Sequence, residues 1–351
     1  MRAIAPGAAS EAFFGRAFDR LPLACLAAVA AAAAVTGPGW SERLAPLPWL
    51  LSLAVVGLPH GAADFAISRR ACCGWQLAGL WLAYAAIMAL VAVAFMAAPV
   101  MALAAFAALS AWHFGAADAD LDRPPPTGWA RAVTAAARGC PTLAAPLAAR
   151  PEATATAASE LLALALPAGR MVTAVQVQTA GIVLAAVAVA AIVADGLLAR
   201  RQTGDPSRWL WHLVALGVLL ALGLCTDPLF SVGLSFLVWH SWRQMGPLAA
   251  EVTGAWPSSW HELAGALVAI HAAALPLLLP TWGVLAAAWW LWSPEHDLRD
   301  LAILSIGVYL VVTPAHELLG EILRLVAGGA PRRQASRWGG RYRGPSASPI
   351  I

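Results

Sequence analysis

The sequence predicts an all-α fold, a polytopic helical integral membrane protein of about ten transmembrane helices. Three observations carry this. Of the 351 residues, 60% are hydrophobic and only 12% are charged, against roughly a quarter charged in a soluble domain. Mean hydropathy is +0.71. The apolar residues also run in long stretches near the roughly 20 residues that a helix needs to cross a bilayer, not in the short alternating segments of an outer-membrane barrel.

No large polar block interrupts these stretches. Residues 1–351 therefore read as a single polytopic domain, with 1–20 and 328–351 as flexible tails. The formal charge of +3 comes from arginine alone, since the chain has no lysine. Nothing in that balance argues for nucleic acid, and no obligate protein partner is expected; the expected surroundings are a lipid bilayer. The five cysteines (Cys25, Cys72, Cys73, Cys140, Cys225) show no C-x-x-C spacing and read as small hydrophobic side chains. The first 36 residues carry Glu11 and Asp19 among arginines, which suits a retained first helix better than a signal peptide.

In order, the spans are expected at about 21–37, 45–67, 75–97, 99–117, 129–149, 171–198, 209–226, 228–248, 261–292 and 301–327. The fifth is the weakest, because Arg131, Arg138, Pro141 and Pro146 fall within it. The ninth contains Pro276 and Pro280 and is read as one long broken element. Residues 152–168 are read as an interfacial helix.

Arginines mark the cytoplasmic side of a multi-pass protein. Arg16 and Arg20 precede the first span, Arg69 and Arg70 follow the second, and Arg200 and Arg201 follow the sixth. The tail is basic as well. An inner-membrane protein with both termini cytoplasmic and an even number of spans meets all of these conditions.

Four histidines lie inside the apolar stretches. They are His60 in Gly57-Leu58-Pro59-His60-Gly61, His113 in Trp112-His113-Phe114-Gly115, His240 in Trp239-His240-Ser241 and His316 in Thr313-Pro314-Ala315-His316-Glu317. An ionisable group at membrane depth is costly and normally has a partner, and neutral imidazole is the commonest metal ligand. All four spans run from outside to inside in this topology. His60 lies nine residues before Arg69, His113 ten before Arg123, His240 eleven before Glu251 and His316 eight before Arg324. At 1.5 Å per residue each ring sits roughly 12–17 Å from the inner end of its helix, in one layer.

Each histidine has neighbours that suit such a site. Asp64 follows His60 at i+4 on the same helix face, where it is expected to orient that ring. Gln244 stands one turn beyond His240, as a weak oxygen ligand or hydrogen-bond partner. Arg243 beside it needs a carboxylate, Asp118 or Glu251. His316-Glu317 is half of a zincin motif, but Gly320 stands where the second histidine belongs. Glu317 is either an orienting carboxylate or part of a polar patch. His271 is the nearest outside candidate, and His212, His261 and His296 fall near helix ends. A proton-relaying transporter would also use intramembrane histidines and acids, but the chain has no internal repeat.

The ordered set of motifs resembles the bacterial Brp/Blh-type β-carotene 15,15′-dioxygenases over about residues 45–325. The resemblance implies a carotenoid-cleaving dioxygenase, using O2 and an apolar carotenoid to give retinal, with Fe(II) as cofactor. Carried over by position, it implies His60, His113 and His240 as iron ligands and catalytic residues. Two positions depart from the family pattern. Gln244 stands where a ligand histidine is expected, and Ala315 where a proline would precede His316. Those departures leave Gln244 and His316 as competing candidates for the remaining ligand, and leave open a relative acting on another isoprenoid.

Overall fold

A computed structural model describes residues 7–122, 126–166, 172–203, 207–293 and 295–329, and among them every regular element is a helix. In chain order these are α1 (Ala8–Thr36), α2 (Gly39–Arg70), α3 (Gly74–Ala97), α4 (Pro99–Ala119), α5 (Gly128–Ala149) and α6 (Pro151–Ala163). They continue as α7 (Ala174–Thr203), α8 (Ser207–Cys225), α9 (228–253), α10 (Trp260–Trp292) and α11 (Leu298–Gly329). Each of the ten expected spans coincides in most of its length with a helix, and the helix expected at 152–168 is α6, which ends at Ala163; residues 167, 168 and 171 lie outside the described residues.

Seven of them, α1, α2, α3, α4, α7, α10 and α11, are long and apolar enough to cross a membrane. The expected count of ten is met only by adding α5, α8 and α9. α5 carries two arginines, Trp209–Cys225 within α8 is short, and α9 holds His240, Arg243 and Gln244. Large exposed apolar side chains such as Leu82 and Leu90 on α3, Val183 on α7 and Val284 on α10 suit a lipid-facing perimeter.

Two boundaries differ from expectation. Residues 8–20 are not a tail: they form the first turns of α1, with Phe13, Ala17 and Phe18 buried against Met245 and Ile270. The expected tail at 328–351 lies almost wholly outside the described residues, as does Arg123. α10 is a single element, as expected, but it runs as one continuous helix through Pro276 and Pro280 instead of breaking there.

Small residues set the spacing around the site. A Cβ on Gly115 would overlap the Ala135 carbonyl, and one on Gly139 the Ala111 carbonyl, so α4 and α5 cross in backbone contact. Gly57 is enclosed by Ser52, Phe236 and Tyr309, which draws α2 against α9 and α11. Two π turns interrupt these helices at Ser52–Val56 and Ser235–Ser241. The first precedes Pro59, which has no N–H to give the carbonyl four residues back. The second contains His240. Such wide turns re-aim the side chains that follow them.

Candidate metal centre

The four motif histidines come from α2, α4, α9 and α11, and their rings meet. Ring centroids are 4.7 Å apart for His113–His240, 5.2 Å for His60–His316, 5.3 Å for His113–His316 and 6.0 Å for His60–His240. His60, His113 and His316 form the tightest group: one nitrogen of each lies within 4.8 Å of the others. His240 completes the cluster from the side of Phe114 and Phe236, against which its ring packs.

Carboxylates hold two of the rings. Glu317 Oε2 accepts from His113 Nδ1 at 2.7 Å, and its other oxygen accepts from Trp112 Nε1 at 2.9 Å. Asp64 Oδ2 accepts from His316 Nδ1 at 2.6 Å. Asp64 therefore orients His316, not His60 as its i+4 spacing suggested. Spacing along one helix named the right face, but α11, packed across it, decided which ring meets the carboxylate. In both pairs the Nδ1 is occupied, which leaves the Nε2 as the ring nitrogen available to a ligand.

The other two rings are incomplete. His60 Nδ1 and His240 Nε2 are buried with no hydrogen-bond partner. A buried polar atom without a partner costs about 1–3 kcal/mol, so two such atoms in one cluster point to a missing group. Four imidazoles backed by two carboxylates are a suitable donor set for a divalent first-row metal. The residues present therefore fit a metal ion.

A mostly apolar cavity opens on the cluster. It encloses about 200 Å³ within a void of about 1240 Å³ that includes its mouth. The two volumes bracket the roughly 300–1,000 Å³ of a site for a drug-sized ligand. His60, His113 and His316 form its polar end, and Phe106, Phe114 and Phe236 are among its walls. Gln244 does not face this cavity. Its amide N–H donates to the Ala117 carbonyl at 3.1 Å, and it shares a small polar pocket with His240, Arg243 and Arg138.

Comparison with known proteins supplies the chemistry's name. The family model described as β-carotene 15,15′-dioxygenase matches residues 51–324. The chain belongs to that family. A curated relative from Halobacterium salinarum, the "Probable beta-carotene 15,15'-dioxygenase Blh", is 30% identical over 312 residues, covering 82% of this chain and 87% of its own. No solved structure matches. Family membership makes the chain an enzyme of the carotenoid-cleaving dioxygenase type, and the match spans all four histidine motifs.

Beyond the cluster, towards the ends of α4 and α9, lies an ion network, buried at Asp118, Arg138 and Arg243 and partly exposed at Arg131, Asp120 and Glu321. Arg243 pairs with Asp118, and with Asp19 at 2.9 Å. Arg138 pairs with Asp122 at 2.6 Å and donates to the Asp118 carbonyl. Arg131 bridges Asp120 and Glu321, each at 3.0 Å, with its guanidinium over Trp112. Of the two partners expected for Arg243, Asp118 is the one found; Glu251 instead accepts from Arg70 through its backbone. Asp19 was missed because it lay in a presumed tail.

His212 is buried beside Asp122 at 3.5 Å and is not a loop residue. Burial alone would raise the Asp122 pKa, but hydrogen bonding from His212 and the Arg138 charge bring it down to about 2. His271 bonds the Leu267 carbonyl of its own helix, one turn back.

Proposed function

We propose that the chain splits the central double bond of β-carotene, or of a related carotenoid, with O2 to give retinal. The reading assigns Fe(II) to His60, His113, His240 and His316. It takes the protein as a multi-pass component of the inner membrane with cytoplasmic termini. The observation that carries it is the convergence of four imidazoles, two with unpartnered buried nitrogens, three of which (His60, His113 and His316) line an apolar cavity, in a chain of this family. The arginine-marked ends of the spans support the membrane orientation.

The stoichiometry suits these walls. One carbon–carbon double bond breaks, each of its carbons takes one oxygen atom of O2, and two aldehydes result. No reductant and no net proton is required, so the cavity needs no acid or base aimed at the chain. Iron held by these histidines would supply the one-electron chemistry that O2 and a closed-shell polyene lack on their own. Asp64 and Glu317 fix the tautomer and direction of His316 and His113. The aromatic and aliphatic walls hold the polyene and keep water away from it. A substrate that partitions into lipid gains by meeting its enzyme within the bilayer.

Expression in a β-carotene-producing bacterium tests the reading. Bleaching with accumulation of retinal is expected, together with stoichiometric iron in the purified protein. Retained colour at good expression would overturn the reaction, and zinc in place of iron would overturn the metal assignment.

A further inference from the structure

The cavity has a length as well as a volume. Its walls on α4 run from His113 back to Leu103, and on α11 from His316 back to Ile306. Ten helical residues rise about 15 Å. At that distance the cavity meets α6, which contributes Thr154, Ala157, Ala158 and Leu161. These positions recur at i, i+3, i+4 and i+7, so one face of α6 looks into the cavity. Glu152 and Thr156, on the other face, are exposed. α6 thus lies across the end of the cavity remote from the histidines.

α6 is held in that place by its neighbours. Glu160 pairs with Arg299 at the start of α11 at 3.0 Å. Thr154 donates to the Pro146 carbonyl of α5 at 3.1 Å. Gly307 of α11 leaves room for Leu161 and Leu164; a Cβ there would stand 3.3 Å from the Leu164 side chain.

An extended carbon chain advances about 1.2 Å per bond, as a stretched backbone does over its three bonds per residue. The half of a carotenoid from its central bond to the far edge of a terminal ring, some nine chain bonds plus the ring, therefore spans roughly 15 Å. The two lengths agree. We infer that the inner face of α6 is the end wall on which one terminal ring of the substrate rests, and that the distance from Ala158 and Leu161 to the histidines selects which double bond is cut. The inference rests on the proposed carotenoid reaction and adds to it the residues that set the cleavage position.

The test uses the full chain in membranes with O2 and a carotenoid carrying a ring at one end only. The ring-bearing aldehyde is then identified by chromatography. Wild type should release retinal from every member of a length series of such substrates, because the wall measures from the ring. Ala158→Phe shortens the cavity and should yield a ring fragment at least one conjugated step, about 2.5 Å, shorter than retinal. Leu161→Ala deepens it and should yield a longer one. Retinal as the sole ring fragment from both active variants would overturn the wall, as would wild-type cleavage that follows the midpoint of each substrate. With β-carotene itself, absence of retinal from wild type overturns the proposed reaction. Retinal from wild type with unshifted cuts in the variants overturns the end wall alone.

Discussion

Two polar regions lie side by side within this apolar chain, and they are satisfied differently. In the ion network every arginine has its carboxylate: Arg131 with Asp120 and Glu321, Arg138 with Asp122, Arg243 with Asp118 and Asp19. In the histidine cluster two rings meet carboxylates, and two keep a buried nitrogen with no partner. The network supplies opposite charge to each of its own ions. The cluster holds more donor capacity than its own chain uses, and it borders the cavity. Both regions keep buried nitrogens without a hydrogen bond, Arg138 Nε and Arg243 Nη1 in the network as well as His60 Nδ1 and His240 Nε2 in the cluster, but only in the network does a carboxylate stand beside each of these residues.

That contrast can be broken by substitution, and the largest effect should be at the cluster. His60→Ala and His113→Ala should each lower product formation and metal content by more than 100-fold, beyond the 10–100-fold usual for an orienting partner. Elemental analysis alongside retinal assay checks this, and undiminished metal would refute the ligand set.

Arg243→Met should instead cost stability, about 3–5 kcal/mol, because it leaves Asp118 and Asp19 without their cation. Thermal unfolding in detergent reads the loss, while metal per folded molecule should stay unchanged. Glu317→Gln and Asp64→Asn join the two regions in character. They should weaken metal binding 10–100-fold with little change in melting temperature; equal loss from both assays would make them structural.

Acid sharpens the comparison from the network's side. Asp122 has a folded pKa of about 2 against 3.8 as reference, so its contribution is fully present above about pH 4 and is lost as pH falls towards 2. The expected loss is on the order of 2 kcal/mol. It should disappear from the stability–pH profile of Asp122→Asn.

The smallest effect is expected from Gln244→His. Gln244 is engaged with the Ala117 carbonyl, and His316 already stands with His60 and His113, so added imidazole should not raise metal content. A clear gain would return position 244 to the ligand shell.

Much of the site was legible because depth in a membrane can be counted along a helix. Counting residues to Arg69 or Glu251 placed His60 and His240 in one layer before any packing was known. Arg243's need for a carboxylate, and Asp118 as one that could meet it, followed from the cost of a buried charge. Contacts across helices were not legible. Asp64 shares a face with His60, yet it meets His316. Asp19 closes the pair with Arg243 from more than 200 residues away in sequence.

The sequence by itself determined the helical membrane fold, the order of the elements, the four histidines and their shared depth. These follow from local quantities: hydropathy, helical rise and the cost of burying an imidazole. The tertiary structure alone decided which carboxylate holds which ring, which nitrogens remain without partners, and how far the cavity extends before α6 closes it. Those depend on where separate helices cross, and crossings are set by Gly57, Gly115 and Gly139 packing against distant segments. Periodicity along a single helix carries no record of that packing.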